Sequence, residues 1–218
     1  MTRETILKNI RNHLRRGSVT SEEAAVLKQR LSEHRRGIVP ARIQGTPAEL
    51  VELFIQQAEK SSATIERIED LMEVPAAVCR LLQQEKLDFS LCVSLELLNL
   101  PWEQDSLKIS QNIISSKEKV TITACCCGIA ETGTLVLFSG PKTQTRLNFL
   151  PEIHIVVLVT HQIVGAYEDA WDKIRHMGVM PRTVHFITGP SRTADIEQTI
   201  MLGAHGPRRL HVMLLTNS

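Results

Sequence analysis

One segment sets the architecture: "IHIVVLVTHQIVGAYEDAWDKIRHMGVMPRTVHFIT", Ile153 to Thr188. It opens with a run that is apolar on both faces, as a strand in the middle of a covered sheet must be. A helical pattern follows from Gln162 to about His176, with Ile163, Val164, Ala170 and Ile174 on one face. The run "TVHFIT" then restores strand chemistry. Strand, helix, strand predicts parallel pairing through a right-handed crossover.

The same alternation extends outward. A helix at about 75 to 85 precedes a short strand near Leu91 to Leu95, and "KVTITA", "TLVLF" and "LHVMLL" are further β-rich runs. Between "TVHFIT" and "LHVMLL", the segment "TADIEQTIML" predicts a shorter helix opened by Thr193. The expectation is an α/β fold: a three-layer, open, mainly parallel sheet.

The N-terminal part is different. Ile6, Leu7, Ile10 and Leu14 repeat at helical spacing before Gly17. Thr20 and Glu23 stand in capping-box register ahead of Ala24, Leu27 and Leu31. Thr46 as N-cap and Pro47 at the first helical position open the next helix. The division therefore falls near residue 45, giving an N-terminal helical arm (1–45) and an α/β domain (46–218).

At 218 residues and 43% hydrophobic, the chain can bury one good core with a small appendage. A net charge of +1 excludes a disordered tail and a nucleic-acid specialist. Residues 1–46 carry +6 and the remainder −5. Either solvated helix faces or a basic arm on an acidic surface accounts for this. No apolar run reaches the ~18 residues of a membrane span, and "MTRETILKNIRNHL" lacks the apolar stretch of a secretory signal. The expected location is the cytoplasm.

Cys79, Cys92, Cys125, Cys126 and Cys127 include no C-x-x-C pair. Adjacent cysteines on an extended segment alternate faces and cannot converge on one metal. The triplet reads as small buried hydrophobes ending a core strand. No metal or cofactor is expected on this chain.

Candidate site residues gather in glycine-containing turns. In open α/β sheets ligands collect beyond the carboxyl ends of strands, where "ITGPSRTADIE" (Ile187–Glu197) is expected. Gly189 permits close backbone approach, Ser191 or Thr193 can cap, and Arg192 offers a bidentate donor to an anion. Asp195 complements the helix dipole or faces the ligand; Glu197 shares the first role. In "GIAETGT", the amides of Thr132, Gly133 and Thr134 form a potential anion nest. Glu131 either acts as a base or shapes the loop. Arg146, His205 and Arg208 are further candidates. "GAHGPRR" precedes a strand, so parallel topology places it at the opposite edge. His154 and His211 read as satisfied core residues.

Taken in order, "GIAETGTLVL", "LPEIHIVVL", "ITGPSRTADIE" and "GAHGPRRLHVMLL" resemble the LUD domain of the lactate utilization protein C family, strongly over about 120–216 and more loosely from 45. The resemblance implies a fold of the ribose-5-phosphate isomerase, glucosamine-phosphate deaminase and CoA-transferase group. It also implies a cytoplasmic role in oxidising L-lactate to pyruvate beside iron–sulfur partner proteins, which would carry the clusters. "ACCC" replaces the polar, Asp-containing residues expected of the family before "GIAETGT". Two functional readings follow: a subunit of a lactate-oxidising complex holding a small anion between the Glu131 and Arg192 loops, or a stand-alone enzyme acting on a phosphosugar or CoA ester. A non-catalytic assembly subunit is a third.

Overall fold

The computed structural model describes residues 2–102, 107–111, 119–194 and 200–216. Two compact units are present, Met1–Ile38 and Val39–Ser218. The first contains α1 (Arg3–His13) and α2 (Ser21–Glu33), neither with a buried residue. Thr20 and Glu23 form the expected capping box at α2.

The second unit begins with α3 (Pro47–Lys60), capped reciprocally by Thr46 and Glu49. Its core is a six-stranded, wholly parallel sheet. In chain order these strands are β1 (Thr64–Ile68), β2 (Ser90–Val93), β3 (Lys108–Gln111), β4 (Val120–Ala124), β7 (Ile153–Val159) and β12 (Arg209–Leu215). Their spatial order is β1-β12-β7-β4-β2-β3. The alternation of strand side chains divides the core. Ile153, Ile155, Val157, Met213 and Leu215 pack with Val78 and Leu82 of α4 (Val74–Gln84). Val156, Leu158, Val212 and Leu214 face α3 and a second sheet. Both faces of β7 and β12 are therefore covered, which is why their sequences are almost continuously apolar.

The second sheet has the order β8-β5-β6-β9, from β5 (Cys127–Ile129), β6 (Thr134–Phe138), β8 (Ile163–Val164) and β9 (Val184–Ile187). "TLVLF" and "TVHFI" thus leave the parallel sheet: β6 is antiparallel to both β5 and β9. The four residues between β5 and β6 make a hairpin and are too few for a crossover. On the outer side α6 (Tyr167–His176) packs Ala170 and Ile174 against Cys127, Ile129 and Val136.

Further expectations are corrected. Ile163 and Val164 belong to no helix; they pair with Gly128 and Ile129 as β8, and α6 starts only at Tyr167. Completing the second sheet outweighed the local helical spacing. The helix expected from Thr193 is instead an antiparallel ribbon of β10 (Arg192–Ala194) and β11 (Ile200–Leu202). Thr193 lies within β10, and residues 195–199 of the expected helix lie outside the described residues. The edge strands β1 and β3 escaped the sequence reading because "TIERI" and "KISQ" are short and rich in polar residues. Among the described residues no helix is long and apolar enough to cross a membrane.

Candidate functional site

The two glycine loops that parallel topology placed at opposite edges meet. Because β9 belongs to the antiparallel sheet, its carboxyl end arrives beside the start of β12. Ser191 N–H donates to Pro207 O (2.8 Å), and Gly203 N–H donates to Ser191 O (2.9 Å). Gly189 makes the approach possible. Its φ is +69°, and a Cβ there would stand 2.0 Å from the carbonyl oxygen of Ser61.

Between the loops lies a hollow of about 330 Å³. Its walls include Gly189, Ser191, Arg192, His205, Thr188 and Phe186, together with Asn148 and Phe149 of α5 (Arg146–Phe149) and His154 of β7. Asn148 is 1% exposed, yet neither atom of its amide has a partner among the described residues. His154 is fully buried. Its Nε2 is hydrogen-bonded to Thr123 Oγ1 at 2.8 Å, while Nδ1 has no partner among the described residues. The expectation of a satisfied core histidine therefore holds for one nitrogen only. Burial pushes the His154 pKa down to about 3, so its ring is neutral at ordinary pH. Burial also lowers the pKa of nearby His185, which stacks edge-on against Phe149 at 5.0 Å.

This pairing has direct chemical meaning. A buried amide offers two donors and one acceptor, and a neutral imidazole offers one more donor or acceptor. Leaving such groups unsatisfied costs ~1–3 kcal/mol each, which an occupant able to bond them would relieve. Sequence reasoning did not select Asn148 or assign His154 to a ligand. The available signal was an Asn inside the apolar "RLNFL" and a His inside "IHIVVLV", but neither pattern says which way the side chain faces.

The other selected residues are distributed unevenly. Arg192 is exposed and donates through Nη2 to Ser62 Oγ. His205 stands exposed at the rim. Arg208 pairs with Glu152 at 3.3 Å, and Arg146 is exposed on α5 outside the lining. Asp195 lies outside the described residues, as does Glu197. Glu131 does not line the hollow. Its carboxylate pairs with Arg42 at 3.2 Å, and its N–H donates to Gly165 O. The neighbouring Gly133 is pressed against α3, where a Cβ would lie 2.2 Å from Ala58 N.

A cluster of hydroxyls joins the two places. Thr188, in the wall, is 2.6 Å from Thr134 Oγ1; Thr134 is 2.6 Å from Thr132 Oγ1. The Tyr167 hydroxyl bonds to both Thr132 (3.1 Å) and Thr134 (3.0 Å). Glu131 directly precedes Thr132 in the chain, so the bend reaches the hollow through side-chain hydroxyls.

A parallel sheet backed by an antiparallel one, with loops from both closing a small hollow, defines a class of α/β domain. The sequence model of the LUD domain matches residues 51–215. The chain belongs to the LUD-domain family.

Relatives include lactate utilization protein C of Bacillus subtilis, 36% identical over 121 residues, covering 53% of this chain and 50% of that one. The protein of the same name from a Geobacillus species is 34% identical over 107 residues, 47% and 44% of the two chains. A Neisseria meningitidis serogroup B protein is 42% identical over 91 residues, 41% and 39% of the chains. The matched regions span about two-fifths to half of these curated relatives. A crystal structure of a DUF162-family protein from Deinococcus radiodurans shares the fold, with a TM-score of 0.59 and 21% identity over 78% of this chain and 99% of that one.

Proposed function

We propose that this chain serves lactate utilisation as a subunit of an L-lactate-oxidising system, holding a small carboxylate anion in the hollow between the Gly189 and Gly206 loops. The observation that carries the reading is a pair of buried side chains in the wall of that hollow, Asn148 with both amide atoms and His154 with Nδ1 lacking a partner among the described residues. The names of relatives supply the metabolic context.

A 2-hydroxy or 2-oxo acid suits the donors. The Asn148 amide and neutral His154 meet oxygen atoms, while Arg192 and His205 at the rim supply a positive edge to the carboxylate. Arg192 would release Ser62 to do so. Glu131 acts at a distance, holding the bend with Arg42 and communicating through the hydroxyl cluster. Oxidation of lactate to pyruvate releases two electrons and two protons. In this reading the electrons pass to iron–sulfur clusters on partner proteins in the cytoplasm.

Two measurements test the reading. Titration calorimetry of the intact chain with L-lactate, pyruvate and inorganic phosphate should show a carboxylate binding, weakened by Asn148→Leu. Deleting the gene should abolish growth on L-lactate, and restoring it with Glu131→Gln should fail to rescue. Binding of phosphate or a CoA ester alone, with normal growth on lactate, would replace this reading by a stand-alone phosphosugar or CoA-ester activity.

A further inference from the structure

A second hollow, about 470 Å³, opens beyond the carboxyl ends of β2 and β4 and shares no lining residue with the first. Leu95 N–H donates to Lys142 O (3.0 Å), tying together the turns that bring Glu96 and Lys142 to its walls. Cys126 lies between β4 and β5, held by its N–H donating to Val136 O at 2.8 Å. Of the three adjacent cysteines, Cys125 is 6% exposed, Cys127 is fully buried, and only Cys126 is half-buried.

The thiols are electrostatically unequal. A hydrogen bond from the Cys127 thiol brings the Cys126 pKa down to about 7, against the opposing effect of burial and with help from the Lys173 ammonium. The same bond, then burial, pushes Cys127 far up; burial chiefly does so for Cys125, with Cys126 and Glu96 adding to it. One thiolate is therefore available near neutral pH, and its neighbours stay protonated.

A separate observation points to a ligand. Thr143 lines this hollow, is 6% exposed, and its hydroxyl has no partner among the described residues. The walls also present one acid, Glu96, and one ammonium, Lys142, otherwise set among apolar groups such as Phe138 and Met177.

We propose that Cys126 is a thiol-modification site, and that the hollow admits a small disulfide bearing both ammonium and carboxylate groups. The Cys126 thiolate attacks one sulfur of the incoming disulfide. A new S–S bond forms to Cys126, the old one breaks, and the other half leaves as a thiolate that takes a proton from water. A lone pair of Cys126 becomes the new bond and the pair of the old bond leaves with the departing sulfur, so the Cys126 sulfur rises by one oxidation level as the departing sulfur falls by one. Glu96 faces the ammonium, Lys142 the carboxylate, and Thr143 supplies a hydroxyl. Cys125 and Cys127, held as thiols, do not displace the adduct.

The test treats the full chain with oxidised glutathione, or with the uncharged bis(2-hydroxyethyl) disulfide, and maps the adduct by peptide mass spectrometry. The expected result is one adduct on Cys126, reversed by dithiothreitol and absent in Cys126→Ser. Iodoacetamide labelling of Cys126 should reach half its maximal rate near pH 7. Lys142→Gln should slow the reaction with oxidised glutathione about threefold and leave the uncharged disulfide unaffected. An adduct on another cysteine, no adduct, or labelling that first rises near the ordinary thiol pKa of about 8.5 overturns the site. Equal effects of Lys142→Gln on both probes overturn the charged ligand.

Discussion

Asn148→Leu separates a binding residue from a structural one, because the two roles predict opposite signs for stability. In the protein as described, the Asn148 side chain is 1% exposed with both amide atoms unpartnered. An unsatisfied buried polar group costs ~1–3 kcal/mol, and an apolar side chain of similar shape removes that cost. Leucine is the bulkier residue, but the adjoining 330 Å³ hollow can take the extra methyl volume. Discounting for partial hydration of the hollow, the substitution should stabilise the chain by ~1–2 kcal/mol, raising Tm by about 2–8 °C for a domain of this size. The same change deletes a hydrogen bond to a charged ligand, worth about 1.5–3 kcal/mol, or ~10- to 100-fold in Kd. Urea denaturation and calorimetry with L-lactate and pyruvate measure both quantities on one sample. A variant that loses 2 kcal/mol or more while binding carboxylate normally would show that the amide serves packing, and the reasoning would fail.

Gly133→Ala should destabilise by about 3 kcal/mol or more, since the added Cβ meets the backbone of Ala58 at a φ of +65° where L side chains are strained; an unchanged urea midpoint would mean the hairpin can lift off α3. His154 makes a pH prediction. Its folded pKa, about 3, lies below the usual 6.5, so the unfolded state binds more protons between those values. Stability from this group is complete above pH 6.5 and is lost as pH falls towards 3, on the order of a few kcal/mol in all. His154→Phe should flatten that part of the profile in acid denaturation. Removing residues 1–38 should leave Tm within about 2 °C, because neither α1 nor α2 buries a residue; an insoluble product would contradict this.

The parallel core was legible because its strands carry their environment in their composition. "IHIVVLV" and "LHVMLL" are apolar at almost every position, which only a strand covered on both faces tolerates. The caps at Thr20 and Thr46 were equally plain, since a capping box is a contact between residues three apart. What misled was the assumption that every strand joins one sheet. "TLVLF" and "TVHFI" have the same chemistry as the parallel strands, and nothing local distinguishes a pair of sheets from one. The Thr193 segment failed for a related reason: its residue types suit a helix start, but Arg192–Ala194 found backbone partners in Ile200–Leu202 instead.

The topology error also separated two loops that the structure brings together. With β9 in a single parallel sheet, its loop and "GAHGPRR" would lie a strand length apart. With β9 antiparallel to β6, Ser191 and Pro207 share a hydrogen bond. Gly189, Ser191, Arg192 and His205, selected from turn chemistry, do line one hollow, although the partnership between their loops was not foreseen. Asn148 and His154 were beyond that reading for a different reason. A residue's type states what bonds it can make; whether they are made depends on the fold around it. His211 and His154 both occupy strand interiors and each bonds a threonine through one nitrogen, His211 Nδ1 to Thr64 at 2.8 Å and His154 Nε2 to Thr123. The second nitrogen of each has no hydrogen-bond partner among the described residues; His211 Nε2, however, lies 3.5 Å from the Glu66 carboxylate. Of the two rings it is His154 that borders the hollow, and so does Asn148. Unspent hydrogen-bonding capacity beside a hollow is what marks Asn148 and His154 as candidates, and neither property is written in the residue type alone.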